Sequence, residues 1–155
     1  RSTPDRLLAG VQALQRHQST LPQTLLHGDT HFGNTYRLPN GVAGLLDWQL
    51  MVRGYAMHDV SYIIATGLSI EDRRGSERDL LAYYLDRLSQ EGVANAPSMD
   101  TVWNEYRHMM VWAVYIGWLT TPVVNYGWEI NVMNHLRLTT AYEDLETAKL
   151  VDASL

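Results

Sequence analysis

The chain has 155 residues, 46% of them hydrophobic, enough for one domain or one large lobe with a sizeable core. Its formal charge is −5 and Lys149 is the only lysine beside eleven arginines, so no basic stripe exists and nucleic-acid binding is disfavoured. The absence of cysteine excludes disulfides and thiolate metal sites and fits a cytoplasmic protein, and no apolar run approaches the roughly 20 residues of a membrane span.

Thr3-Pro4-Asp5 predicts a helix start, with a hydroxyl cap, a proline at the first helical position and an acid in the first turn. Leu7, Leu8, Val11 and Leu14 recur at helical spacing, and the helix should fade over 17–20. This charged amphipathic opening is not a signal peptide, and a chain that begins at Arg1 is expected to be a piece of something longer. A short apolar strand over 24–27 then leads into a polar loop over 28–34. Residues 35–38 and 42–47 read as a β-hairpin around Pro39-Asn40-Gly41, with Asn-Gly supplying positive φ values.

From Ala56 onward the pattern is helical. A helix over 57–66 ends at Gly67, Ser69-x-x-Asp72 caps a short helical turn, and a strong helix over 76–91 is closed by Gly92. Ser98 caps a long helix over 99–120 that Pro122 stops, and 129–149 form the last helix. The sum is an α+β chain, mainly helical, with a small hairpin beside its polar loop. The Arg73-Arg74 and Arg78 cluster, offset by Glu71, Asp72, Glu77 and Asp79, reads as a solvated helix face.

The polar loop carries the chemistry. It spells His27-x-Asp29-x-x-x-x-Asn34, and the hairpin that follows ends on Asp47. Phosphoryl transfer to a hydroxyl needs an oriented acceptor oxygen, a carboxylate near its proton, and metal ions neutralising charge on the transferred group. Asp29 suits the base, while Asn34 offers a neutral oxygen and Asp47 a charged one to a hard cation such as magnesium. Gly28 and Gly33 let the backbone turn tightly, and a hairpin running out and back would bring both ligands to one edge. The plainer alternative is that Asp29 and Asn34 only shape a turn.

Gly28-Asp29-x-His31-x-Gly33-Asn34, then Asp47-Trp48-Gln49, Gly54 and His58-Asp59-Val60-Ser61-Tyr62, resembles the aminoglycoside phosphotransferase, choline kinase and ecdysteroid-kinase-like group of small-molecule kinases. The likeness runs from about residue 25 to the C-terminus, and Tyr83-Tyr84 with the aromatic helix after Ser98 fits the ecdysteroid-kinase-like branch. It implies the C-terminal lobe of a protein-kinase-like fold, using ATP and Mg2+ to phosphorylate a hydroxyl of a small molecule. By the same resemblance Asp29 is the catalytic base and Asn34 and Asp47 bind magnesium. His27 and His31 would brace the loop, and Asp59 would be a supporting carboxylate or a plain helix N-terminal acid. Two departures stand out. Trp48-Gln49 replaces the Phe-Gly of protein kinases, and Thr30 and Phe32 differ from the aminoglycoside branch, which leaves the acceptor open.

Such a fold also needs an N-terminal lobe with a nucleotide-covering loop, a strand lysine and a helix glutamate. The 26 residues ahead of His27 are too few for it. All 155 residues therefore read as the catalytic-loop and substrate lobe, expected to lack turnover without an N-terminal lobe of the same protein.

Other constellations compete. His27, Asp29 and His31 alternate and would face one way on a strand, as a zinc or di-metal set requires. Gly28-Asp29-Thr30-His31 is similar to a fragment of the metallophosphoesterase signature, without its upstream Asp-x-His or later Gly-Asn-His. Helix spacing groups Trp103, Tyr106 and Met110 on one face and Trp112, Tyr115 and Leu119 on a neighbouring one. Most of these rings should pack the core, while Trp112, Tyr115 and Trp128 are the candidates to flank an acceptor. A kinase-like lobe kept for binding alone is the remaining alternative.

Overall fold

Helix α1 (Pro4–Gln18) starts where its cap predicts: the Thr3 hydroxyl accepts the Arg6 N–H at 3.3 Å. The structure is a computed structural model that describes residues 3–154. α1 turns Val11, Ala13 and Leu14 inward, and Gly10 allows close approach, since a Cβ there would meet a Val151 methyl at 2.8 Å.

Four three-residue strands follow, in two separate antiparallel pairs. β2 (Thr35–Arg37) and β3 (Ala43–Leu45) form the expected hairpin, paired Thr35 to Leu45 and Arg37 to Ala43. Its turn differs from the sequence expectation. Only Gly41 has positive φ (88°), and its N–H donates to the Leu38 carbonyl at 2.9 Å. Pro39 fixes a negative φ, so the chain takes a three-residue loop closed by a left-handed glycine rather than a two-residue Asn-Gly turn. The second pair joins β1 (Thr24–Leu26) to β4 (Val52–Gly54), with Leu26 opposite Val52. β4 has no counterpart in the sequence reading, because Val-Arg-Gly is too short to show a period. It matters for the site, since β1 and β4 close the base of the whole segment between them.

The rest is helical: α2 (Met57–Gly67), α3 (Ile70–Gln90), α4 (Met99–Thr120), α5 (Val123–Tyr126), α6 (Trp128–Asp144) and α7 (Thr147–Ser154). α3 is one helix, not a turn followed by a helix. Its surface glycine, Gly75, has open space where a Cβ would stand, and one glycine costs a helix only about 1 kcal/mol. The expected last helix is instead broken at Glu146 (φ 53°). Arg107 of α4 accounts for the break: its Nε donates to the Leu145 carbonyl at 2.9 Å and its own carbonyl accepts the Thr147 hydroxyl at 2.9 Å.

α4 is the central helix, touching α1, α2, α3, α6 and α7, with Val102, Tyr106, Met109, Met110 and Ala113 all buried. The arginine cluster of α3 departs from a solvated face. Arg73 is 1% exposed, bonded to Glu77 at 2.6 Å and to Asp144 of α6, and Tyr106 donates to the same Glu77 at 2.9 Å. Arg74 is exposed and also holds Asp144, while Arg78 lies 3.7 Å over the Trp103 ring. Paired carboxylates make burial of Arg73 tolerable. Among the described residues no helix is long and apolar enough to cross a membrane.

Candidate active site

The segment between β1 and β4 holds its polar residues by short bonds to the start of α2. The Asp59 carboxylate accepts the N–H of His27 at 2.6 Å and of Gly28 at 3.1 Å, and the Thr30 hydroxyl donates to the Asp59 carbonyl at 2.8 Å. Burial pushes the Asp59 carboxyl up, but the hydrogen bond to His58 and the two N–H groups outweigh it and hold the group below the usual carboxylate range. Gly28 sits at φ 85°, and an added Cβ would run into the Leu50 carbonyl oxygen, so only glycine fits.

His27 is 1% exposed and both its ring nitrogens are engaged. Nδ1 accepts the Asp29 N–H at 3.2 Å, which leaves Nε2 to donate to the Leu46 carbonyl at 2.6 Å. The ring packs edge-on against Trp48 at 4.8 Å. His27 therefore braces the loop against the far end of the hairpin. A His27–Asp29–His31 metal set fails on this point, because no imidazole nitrogen of His27 remains free.

Asp29 and Asn34 meet directly. The Asn34 amide nitrogen donates to the Asp29 carbonyl at 3.0 Å and to its carboxylate Oδ2 at 3.2 Å. With the NH2 spent on Asp29, the Asn34 oxygen is the atom left for a cation. His31 Nδ1 accepts the Gly33 N–H at 3.0 Å, so a neutral ring carries its proton on Nε2, which stands 3.5 Å from Asp29 Oδ2. Asn34 is buried, whereas the Asp29 carboxylate is about a third exposed.

Asp47 is tied to Asn34 through the backbone: the Leu46 N–H donates to the Asn34 carbonyl at 2.7 Å. Asp47 itself is exposed and left-handed (φ 57°, ψ 62°), one of two non-glycine residues with positive φ among those described. Its carboxylate accepts Gln49 Nε2 at 3.3 Å. The oxygens of Asn34 and Asp47 are hard donors of the kind magnesium takes, so these residues fit that ion.

The loop forms one wall of a cleft of about 660 Å³. Asp29, His31 and Phe32 face Tyr62 and Thr66 of α2, Trp112 of α4, and Glu129 and Arg137 of α6. Burial, then the Asp29 charge, push the Tyr62 hydroxyl up to about 12, so it remains a protonated donor. Trp112 packs between His58 and Tyr62, at 4.1 and 5.4 Å between ring centres. Tyr115 packs against the core and Trp128 is 65% exposed; neither lines the cleft. Thr66, Glu129 and Arg137 are among the lining residues absent from the sequence reading. Thr66 follows Tyr62 by one helical turn, a signal that helix spacing alone could have supplied. Arg137, whose Nη1 donates to the Thr66 carbonyl at 2.6 Å, comes from a helix 71 residues away.

A family model described as the phosphotransferase enzyme family, APH, matches residues 2–98. The chain belongs to the APH phosphotransferase family. The matched segment takes in α1 to α3 with the whole polar loop, and α4 to α7 lie beyond it. No curated protein and no solved structure matches the chain. APH membership implies a kinase-like fold, and the observed part consistent with it is a mainly helical body carrying small antiparallel sheets.

Proposed function

We propose that the chain is the catalytic-loop lobe of an ATP-dependent small-molecule kinase that phosphorylates a hydroxyl group. The observation that carries the reading is the Asn34 amide fixing the Asp29 carboxylate at 3.2 Å on the wall of an open cleft. Asp29 Oδ2 is held by Asn34 and faced by His31, which leaves Oδ1 to take the proton of an acceptor hydroxyl. Tyr62, kept protonated, can donate to the acceptor from the opposite wall. Asn34 and Asp47 would hold Mg2+, which when bound neutralises charge on the phosphates of ATP. Asp59 acts at one remove, by fixing the His27 and Gly28 backbone and through it the position of Asp29.

An apolar surface around the two sheets supports a docked nucleotide lobe. Leu25, Tyr36, Leu38, Val42, Trp48 and Met51 are each at least 42% exposed. Such a patch, beside the loop that must receive ATP, is what a partner lobe would cover. ATP supply assigns the reaction to the cytoplasm, in keeping with a chain free of cysteine. The test is a screen of hydroxylated metabolites with ATP and Mg2+, run on these 155 residues alone and on a polypeptide joining them to a nucleotide lobe. Acceptor-dependent phosphate transfer only in the longer polypeptide is the expected result. Turnover by residues 1–155 alone would overturn the need for a second lobe, and none in either would overturn the kinase reading.

A further inference from the structure

A second cluster of ligand-bearing side chains lies between the end of α1 and the middle of α4. His17 Nε2 stands 2.6 Å from Glu105 Oε1, and His17, Glu105 and His108 each place one ligand atom within 4.8 Å of the others. Glu105 and His108 are one helical turn apart on α4, so they share a face. His17 crosses from the last turn of α1, an end that Gln18 pins to α4 through a 2.9 Å contact with Met109 Sδ.

An ion pair between His17 and Glu105 does not account for the cluster. Glu105 is only 6% exposed, and its second oxygen, Oε2, is buried with no hydrogen-bond partner. His108 Nδ1 is buried and unpartnered as well. Both polar atoms are buried without a partner, which is costly. With its proton on Nε2, a neutral His108 ring presents Nδ1 as a lone pair beside the Glu105 carboxylate. Beside them lies a cavity of about 270 Å³ lined by His17, His108 and the small residues Gly10 and Ala13. The His17 side chain is 44% exposed, which gives an ion a way in.

We propose that His17, Glu105 and His108 bind one divalent transition-metal ion of the zinc class, joining α1 to α4. Two imidazoles and one carboxylate select such borderline ions over magnesium, which prefers oxygen alone. Ligand atoms around tetrahedral zinc stand about 3.3 Å apart, so the 2.6 Å pair opens slightly and His108 closes in by side-chain rotation. The fourth position falls to a water in the adjoining cavity. The site lies apart from Asn34 and Asp47, and two of its three ligands lie beyond the family match.

The test is zinc titration of the tag-free chain by calorimetry, with cobalt(II) absorption reporting tetrahedral geometry. One zinc per chain is expected, with His17→Gln and His108→Gln each weakening binding about 100-fold or more. His17 is exposed enough that its variant keeps the fold, which circular dichroism checks. His31→Gln should leave zinc affinity unchanged. The proposal is overturned by absence of stoichiometric zinc, by binding that survives loss of both His17 and His108, or by binding lost through His31→Gln instead.

Discussion

The Asp59 carboxylate grips the His27 backbone N–H at 2.6 Å across 32 residues of sequence, and with the Gly28 N–H it fixes the start of the polar loop to helix α2. Replacing it by asparagine leaves one oxygen where two N–H groups need acceptors. Asp59→Asn should therefore cost about 1–3 kcal/mol of stability and lower turnover through misplacement of Asp29. Because the folded carboxyl is held below the usual range, its contribution is fully present above the unfolded value of about 3.9 and is lost as pH falls through the folded value. Urea unfolding of wild type and variant should show a gap that is constant near neutrality and closes below about pH 4. A gap independent of pH would remove the charge from the explanation.

Asp47 stands in a left-handed conformation that glycine adopts freely. Asp47→Gly should leave stability unchanged or raise it by about 1 kcal/mol, while abolishing magnesium-dependent nucleotide binding in a polypeptide that joins the chain to a nucleotide lobe. Thermal unfolding and nucleotide titration, with and without magnesium, separate the two effects. Loss of both together would mean that Asp47 serves the fold rather than the ion.

The Arg73 guanidinium is buried between Glu77 and Asp144, which joins α3 to α6. Arg73→Ala leaves the buried Glu77 carboxylate with only the Tyr106 hydroxyl and Asp144 with only the exposed Arg74, and should destabilise the chain by about 3–5 kcal/mol, measurable by denaturant midpoint. Arg74→Ala removes an exposed partner of the same Asp144 and should cost far less. Similar losses for both would contradict the buried network.

The loop's family motif is legible in sequence because it consists of residue types at fixed spacing. His27, Asp29, Asn34 and Asp47 could be picked out before any coordinate, and the family match covers the segment that holds them. What stayed hidden depends on contacts distant in sequence. Strand β4 exists only because β1 offers it a partner, and the burial of Arg73 rests on Asp144, 71 residues away. The break at Glu146 is set by Arg107 reaching over from α4. The same limit explains the aromatic residues: helix spacing separates faces, but it does not say that Trp112 lines the cleft while Tyr115 packs inward.

In the proposed reaction Asp29, held by Asn34, takes the acceptor's proton. The decisive measurement is the steady-state kcat of wild type and Asp29→Asn in a polypeptide that joins the chain to a nucleotide lobe, with nucleotide affinity measured on the same preparations. A kcat lower by about 100-fold or more, with nucleotide binding kept, is the expected result. A variant that turns over within about twofold of wild type would contradict it.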